Sequence, residues 1–290
     1  MNVYFDCDNT MGLPGCDMDD GMALLYLLGH ERIRLRAVTT SFGNSTIAQV
    51  HANTERMFRE LGLEQIPLRK GAASPQERES EASRFLASAL MQETEPATLL
   101  ITGSPTNIYA ACLENERILA HIDEMVFMGG VTEPLIIGGK PMAELNFSSD
   151  PEAMHYLINC PVPKTIISAQ ICLNAFFDAS KMAEVLEHQE IPAFAYMREP
   201  LQLWYDFISR QYGAPGFHAW DVTAAVYLTN PELFDRRDIS VTSSVADLQS
   251  GWLRLDQQSH LNRVNVPERI LDRDRFWREI FATWKEVRRP

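Results

Sequence analysis

The chain has no long apolar run near its amino end: the longest, Ala23–Leu28, is far too short to cross a bilayer. No basic stretch leads into an apolar segment there either, and acidic residues begin at Asp6, which argues against a secretory leader. Cysteine is sparse and unpaired in pattern. Cys7, Cys16, Cys112, Cys160 and Cys172 are odd in number and form no C-x-x-C, which suits a reducing compartment better than a disulfide framework. Positive charge is also short: 26 Lys and Arg against 39 Asp and Glu leave a net charge of −13, so nucleic acid is not an expected partner. The one basic tail, Lys285, Arg288 and Arg289, is too short to alter that. There is no internal repeat, low-complexity tract or convincing linker. The expectation is a soluble, cytoplasmic protein with one domain over residues 1–290 and neither membrane nor nucleic-acid partners.

What is present is an ordinary apolar fraction, 46%, enough for a sizeable core. The first half alternates short apolar runs with helical patterns. Strands are expected at 3–7, 35–40, 97–102, 125–128 and 165–168, with helices at 20–29, 46–61, 105–120 and 151–158. That alternation predicts an α/β fold with a mostly parallel open sheet flanked by helices. Residues 179–228 are mainly helical, interrupted by Pro192, Pro200 and the Gly213–Gly216 stretch. Residues 239–266 predict two or three further strands as a small antiparallel addition, and 267–287 a closing helix. Ligands of such sheets bind at the carboxyl ends of the strands, where Asp6, Asp8, Thr102 and Gly103 fall.

Five aspartates lie within the first twenty residues: Asp6, Asp8, Asp17, Asp19 and Asp20. Two carboxylates about 4 Å apart repel by roughly 4 kcal/mol near a protein surface, so the cluster calls for a cation or for protons. Acids at a helix start also cap free N–H groups, which accounts for Asp19 and Asp20 alone but not for Asp6 and Asp8 on the preceding strand. The joint pattern favours a site for a hard, oxygen-bound ion.

With these residues in view, the chain resembles the inosine–uridine-preferring nucleoside hydrolases. Asp6-Cys7-Asp8 and Asp19-Asp20 match the two halves of that family's Asp-x-Asp-x-x-x-Asp-Asp motif, with ten residues between Asp8 and Asp19 in place of three. Val38–Asn44 resembles V-T-T-x-x-G-N, Gly71–Pro75 resembles G-x-x-x-P, and Thr102–Asn107 resembles T-G-x-x-T-N. Met128-Gly129-Gly130, then Ala143–Asn146 with Asp150–Ala153, and finally Trp220-Asp221 complete seven matches in order.

The resemblance implies Ca²⁺ held by Asp8, Asp20, Asp221 and the carbonyl of Thr102, and a metal-bound water as nucleophile with Asp8 as general base. It implies Asp19, Asn44, Glu144, Asn146 and Asp221 on the ribose of a nucleoside substrate, and a homodimer or homotetramer. For Asp150, a helix cap ahead of Pro151 is the simpler reading. At the base, Trp220 stands where the family carries histidine, and His218 lies two residues earlier. Trp220, Phe217, Tyr212 and Tyr205 are candidates to stack on a base, although such aromatics are more often core.

Two rival readings share the amino-terminal motif. Asp6-Cys7-Asp8-Asn9-Thr10 also resembles the opening of haloacid-dehalogenase-like phosphatases, with Asp6 as nucleophile, Asp8 as acid/base and Mg²⁺ as cofactor. The other is a non-catalytic nucleoside-binding protein of the same fold.

Overall fold

The computed structural model describes residues 1–288; Arg289, the last of the three basic tail residues, lies outside them. Nine strands form one sheet in the order 255–256, 238–241, 263–265, 164–167, 122–128, 97–101, 2–7, 34–40 and 68–70. From Arg263–Asn265 to Leu68–Lys70 every pairing is parallel. Asp238–Val241 runs antiparallel to both Leu255–Asp256 and Arg263–Asn265, which is the predicted carboxyl-terminal addition.

Alternation along the central strands covers both faces. Val3, Phe5, Leu100 and Val126 enter one buried layer, and Tyr4, Leu99, Ile101, Met125 and Phe127 enter the other. The helix Asp19–Gly29 is buried along almost its whole length, as its continuous apolar sequence requires. Tyr26 bonds Thr229 at 2.6 Å, and the Trp284 indole N–H donates to the Met22 carbonyl at 3.1 Å, so the last helix, Arg273–Lys285, closes over the first. Among the described residues no helix is long and apolar enough to cross a membrane.

Some boundaries differ from expectation for local reasons. The segment expected as one helix at 105–120 is a helix at Thr106–Glu114 and a 3₁₀ turn at Glu116–His121, because Asn115 leaves helical geometry and caps the turn through Arg117 N–H. Pro200 does not interrupt its segment; Pro192–Tyr212 is one continuous 21-residue helix with Pro200 inside. Gly138-Gly139 forms a tight hairpin turn, both residues at positive φ, between Ile136–Ile137 and Lys140–Pro141.

Candidate active site

The acids converge because parallel pairing brings the strand ends together. Asp6 is in register with Thr39 and Ile101, and Thr102 N–H donates to the Asp6 carbonyl at 2.9 Å, so Asp8 and Thr102 leave the sheet side by side. The Asp19–Gly29 helix brings Asp19 and Asp20, and the Trp220–Thr229 helix brings Asp221. Carboxylate oxygens of Asp19, Asp20 and Asp221 lie within 4.8 Å of one another, all buried. Asp8 adds its charge to Asp20 from the strand side.

Each acid has its own hold. Asp19 Oδ2 accepts the N–H groups of Trp220 at 3.0 Å and Asp221 at 3.2 Å, two free donors at a helix start. Asp20 Oδ1 accepts the Thr102 hydroxyl at 2.6 Å. Asp8 Oδ2 accepts Asn44 N–H at 2.5 Å, and its other oxygen accepts the Asn44 amide at 3.3 Å. Gly43 permits this approach: it stands at φ +156°, and a Cβ there would run into Asp8 Oδ2.

Burial is the leading cause of the altered acidities. It holds Asp8 up at about 7. It raises Asp20 well above the carboxylate range, with the charges of Asp8 and Asp19 adding to it. Asp221 is raised in the same way, with Asp19 and Asp20 adding. Asp20 Oδ2 is buried with no hydrogen-bond partner. Four buried carboxylates, one with an orphaned oxygen, and the Thr102 carbonyl at the rim are an all-oxygen donor set that fits a hard divalent cation.

Above this floor opens a cavity of about 390 Å³. Asp19, Asp221, Asn44, Thr102, Glu144 and Asn146 line one part of it, with Trp220 and His218 beside them. The Asn146 amide donates to the carbonyls of Thr102 at 2.8 Å and Met128 at 3.0 Å, which leaves its oxygen for a ligand. Glu144 is more committed than expected: it accepts Gly130, Phe147 and Ser148 N–H at 3.1, 2.8 and 2.9 Å. His218 sits between Phe176 and Trp220 at centroid distances of 5.1 and 5.3 Å. Burial lowers its pKa to about 4, so the ring is neutral near pH 7.

Tyr205 does not join the cavity; its hydroxyl donates to the Pro215 carbonyl at 3.0 Å. Phe217, Tyr212 and Trp220 do line it, together with Trp204, Phe207 and Ile208, which sequence reading passed over. Their signal was the helical spacing 204, 207, 208 and 212, which puts them on one face. The segment between Asp8 and Asp19 is likewise part of the site. Gly15, Cys16 and Asp17 form part of the wall, anchored where Asn53 donates to the Asn9 and Met11 carbonyls at 3.2 Å.

The nucleophile of the phosphatase reading is misplaced. Asp6 is 2% exposed and absent from the cavity wall. Its Oδ2 accepts the Thr39 hydroxyl and the Asn107 amide, which makes it a brace between strands. Asp150 is the expected cap, accepting Ala153 N–H at 3.1 Å, and it also pairs with Arg78 at 3.0 Å.

The fold and sequence have recognisable relatives. A plant nucleoside hydrolase, the PpNRh1 enzyme, superposes with a TM-score of 0.84 at 18% identity over 100% of this chain and 99% of that one. A purine-preferring ribonucleoside hydrolase from Gardnerella vaginalis also gives 0.84, at 19% identity and 99% coverage of both. The pyrimidine-specific ribonucleoside hydrolase RihA of Shewanella sp. (strain MR-7) is 26% identical over 89% of this chain and 83% of its own length. The profile of the inosine-uridine preferring nucleoside hydrolases matches residues 3–278. The chain belongs to that family, hydrolases of the N-glycosidic bond of ribonucleosides.

Proposed function

We propose that the chain acts as one domain that hydrolyses a ribonucleoside, or a related ribosyl compound, to free base and ribose with Ca²⁺ as cofactor. The observation that carries this is the meeting of Asp19, Asp20 and Asp221, with Asp8 and the Thr102 hydroxyl beside Asp20, beneath a cavity rimmed by Asn44, Glu144 and Asn146. Asp8, Asp20, Asp221 and the Thr102 carbonyl would hold the ion. When bound, such an ion lowers the pKa of a ligated water and so favours a nucleophile at neutral pH.

Asp8 is the general base, kept ionised by the bound cation and placed beside the site of the ligated water. Asp19, Asn44, Asn146 and Asp221 bind the ribose hydroxyls. Glu144 contributes mainly by fixing the Gly130 and Asn146 loops, with any remaining lone pair turned to the sugar. Surrounding carboxylates favour the positive charge that develops on the sugar as the C1′–N bond breaks. Trp220 and His218 meet the base.

Assembly as a homodimer or homotetramer, and a cytoplasmic location, rest on the sequence resemblance and composition. The test is product analysis on a panel of purine and pyrimidine nucleosides with and without Ca²⁺. Release of base and ribose only in the metal-loaded protein supports the reading, and no turnover of any nucleoside overturns it. Ion–oxygen distances of roughly 2.3–2.6 Å would identify Ca²⁺, against roughly 2.0–2.1 Å for Mg²⁺.

A further inference from the structure

Ten residues separate Asp8 from Asp19 where the family motif has three, so a short covalent link does not fix the spacing of these acids. Closing a flexible link becomes harder as roughly the 3/2 power of its length, which disfavours the longer one about sixfold. The fold contains a substitute. The hydroxyl of Thr10, a wholly buried residue, donates to the Asp17 carbonyl at 2.7 Å. That bond closes a neck. Met11–Cys16 become an excursion beyond it, and Asp8 reaches Asp19 through Asn9, Thr10, Asp17 and Met18 alone.

The excursion is clasped from three sides. Within it, Leu13 N–H donates to the Thr10 carbonyl at 2.9 Å and Cys16 N–H to the Leu13 carbonyl at 3.2 Å. From the helix Ile47–Leu61, the buried Asn53 amide donates to the Asn9 and Met11 carbonyls, both at 3.2 Å. Arg56 donates to the Asn53 amide oxygen at 2.7 Å, which fixes the amide with its N–H groups towards the insertion. The buried Met11 side chain packs on Gly21, the residue after Asp20: a Cβ there would stand 2.5 Å from Met11 Cε. On the third side Gly15 lies against the Phe207 ring.

From this arrangement, and resting on the ion site proposed above, we infer that Thr10 and Asn53 are positioning residues for the metal acids. Neither lines the cavity, so both act through the backbone of the insertion. The neck and the clasp hold its two ends together, and so set Asp8 against Asp19 and Asp20 before an ion arrives. An ion that meets placed ligands does not bear the cost of ordering them, and binds more tightly. Linkage makes the effect reciprocal: if the closed neck favours the ion, the ion opposes opening of the neck.

The test uses the full chain and Ca²⁺ alone, with calorimetric titration for affinity and amide hydrogen exchange for the insertion. Thr10→Val keeps the shape and removes the donor. Its Kd for Ca²⁺ is expected to rise about threefold, with a similar rise in Asn53→Ala. The double variant is expected to approach the roughly sixfold cost of an unclosed link. Thr10→Ser keeps the hydroxyl and is expected to return the affinity of the parent. Exchange of the Leu13 and Cys16 amides is expected to slow when Ca²⁺ is added to the parent and to quicken about tenfold in metal-free Thr10→Val.

Lost stability with an unchanged Kd in both single variants makes Thr10 and Asn53 structural only and overturns the inference. So does a Thr10→Ser that binds Ca²⁺ as weakly as Thr10→Val, or exchange in the insertion that ignores Ca²⁺. These results leave the ion site standing, whereas a parent that binds no Ca²⁺ removes both readings. Should Asn53→Ala not fold, the two Thr10 variants and the exchange of the parent decide the matter alone.

Discussion

Asp221 N–H donates to Asp19 Oδ2 at 3.2 Å, so a helix start 202 residues away holds one buried acid against another. The bond explains how carboxylates this crowded keep a defined arrangement. Backbone donors at a helix end carry partial positive charge and absorb part of the repulsion. The remainder falls on Asp20 and Asp221, whose pKa values stand well above the ordinary carboxylate range.

Removing the base should separate chemistry from folding. Asp8→Asn keeps the size of the side chain and removes one of the crowded charges. Turnover is expected to fall by about 10²–10⁴, the usual range for a general base, with the melting temperature of the metal-free protein unchanged or higher. Near-normal kcat in that variant would remove Asp8 from the proposed role.

Metal removal should destabilise the protein. At a free Ca²⁺ concentration of about 100 times Kd, the ion contributes about 2.7 kcal/mol of stability, which a chelator withdraws. Calorimetric melts with and without chelator measure the shift, and identical melts would contradict an ion held by Asp8, Asp20 and Asp221.

The Thr102 hydroxyl donates to Asp20 at 2.6 Å in a buried setting. Thr102→Val removes the donor while keeping the shape and the backbone carbonyl. The expected result is weaker metal affinity and a loss of about 1–3 kcal/mol in stability, read from metal titration and denaturant midpoints. An unchanged metal titration would show that the hydroxyl does not orient Asp20.

Asp6 and His218 set opposite pH dependences in the metal-free protein. Burial raises Asp6 to about 7 from an unfolded value near 3.8, so its contribution is full below pH 3.8 and is lost as pH rises towards 7. Burial lowers His218 to about 4 from 6.5, so its contribution is full above 6.5 and is lost as pH falls towards 4. Asp6→Asn should therefore flatten the loss on the alkaline side, provided Asn107 and Thr39 still bond the amide. His218 followed by NMR should show no titration between about pH 6 and 8; a midpoint near 6.5 would be incompatible with its burial.

Gly43→Ala tests the close approach to Asp8. The added methyl would meet Asp8 Oδ2 at a backbone angle that side chains rarely adopt. A loss of kcat larger than the loss of stability is expected, and wild-type kinetics would show that the Asp8–Asn44 contact has slack.

Much of this was legible in the primary structure because it rests on short-range rules. Alternating apolar runs and helical periods specified the parallel sheet, and the strand-end positions of Asp8 and Thr102 followed from where those runs stop. Asp150 ahead of Pro151 was a cap by composition alone, but its partner Arg78 lies 72 residues away and left no local signal. The aromatic wall was half visible. Tyr212, Phe217 and Trp220 stood near the last motif, whereas Trp204 and Phe207 reach the cavity only through the packing of the Pro192–Tyr212 helix.

The sequence by itself determined the kind of chemistry: acids placed where strands end, oxygen donors suited to a hard cation, and a family pattern running in order along the chain. Only the tertiary structure decided which acids face the cavity and which brace. Asp6 and Asp8 are two residues apart in the chain, yet the first meets Asn107 and Thr39 while the second meets Asn44 beneath the cavity. It also turned the insertion into a wall that sets Gly15 against Phe207 and puts Asp17 on the cavity. The reason is physical: a side chain's charge and donors are local properties, but its burial and partners come from packing between distant segments.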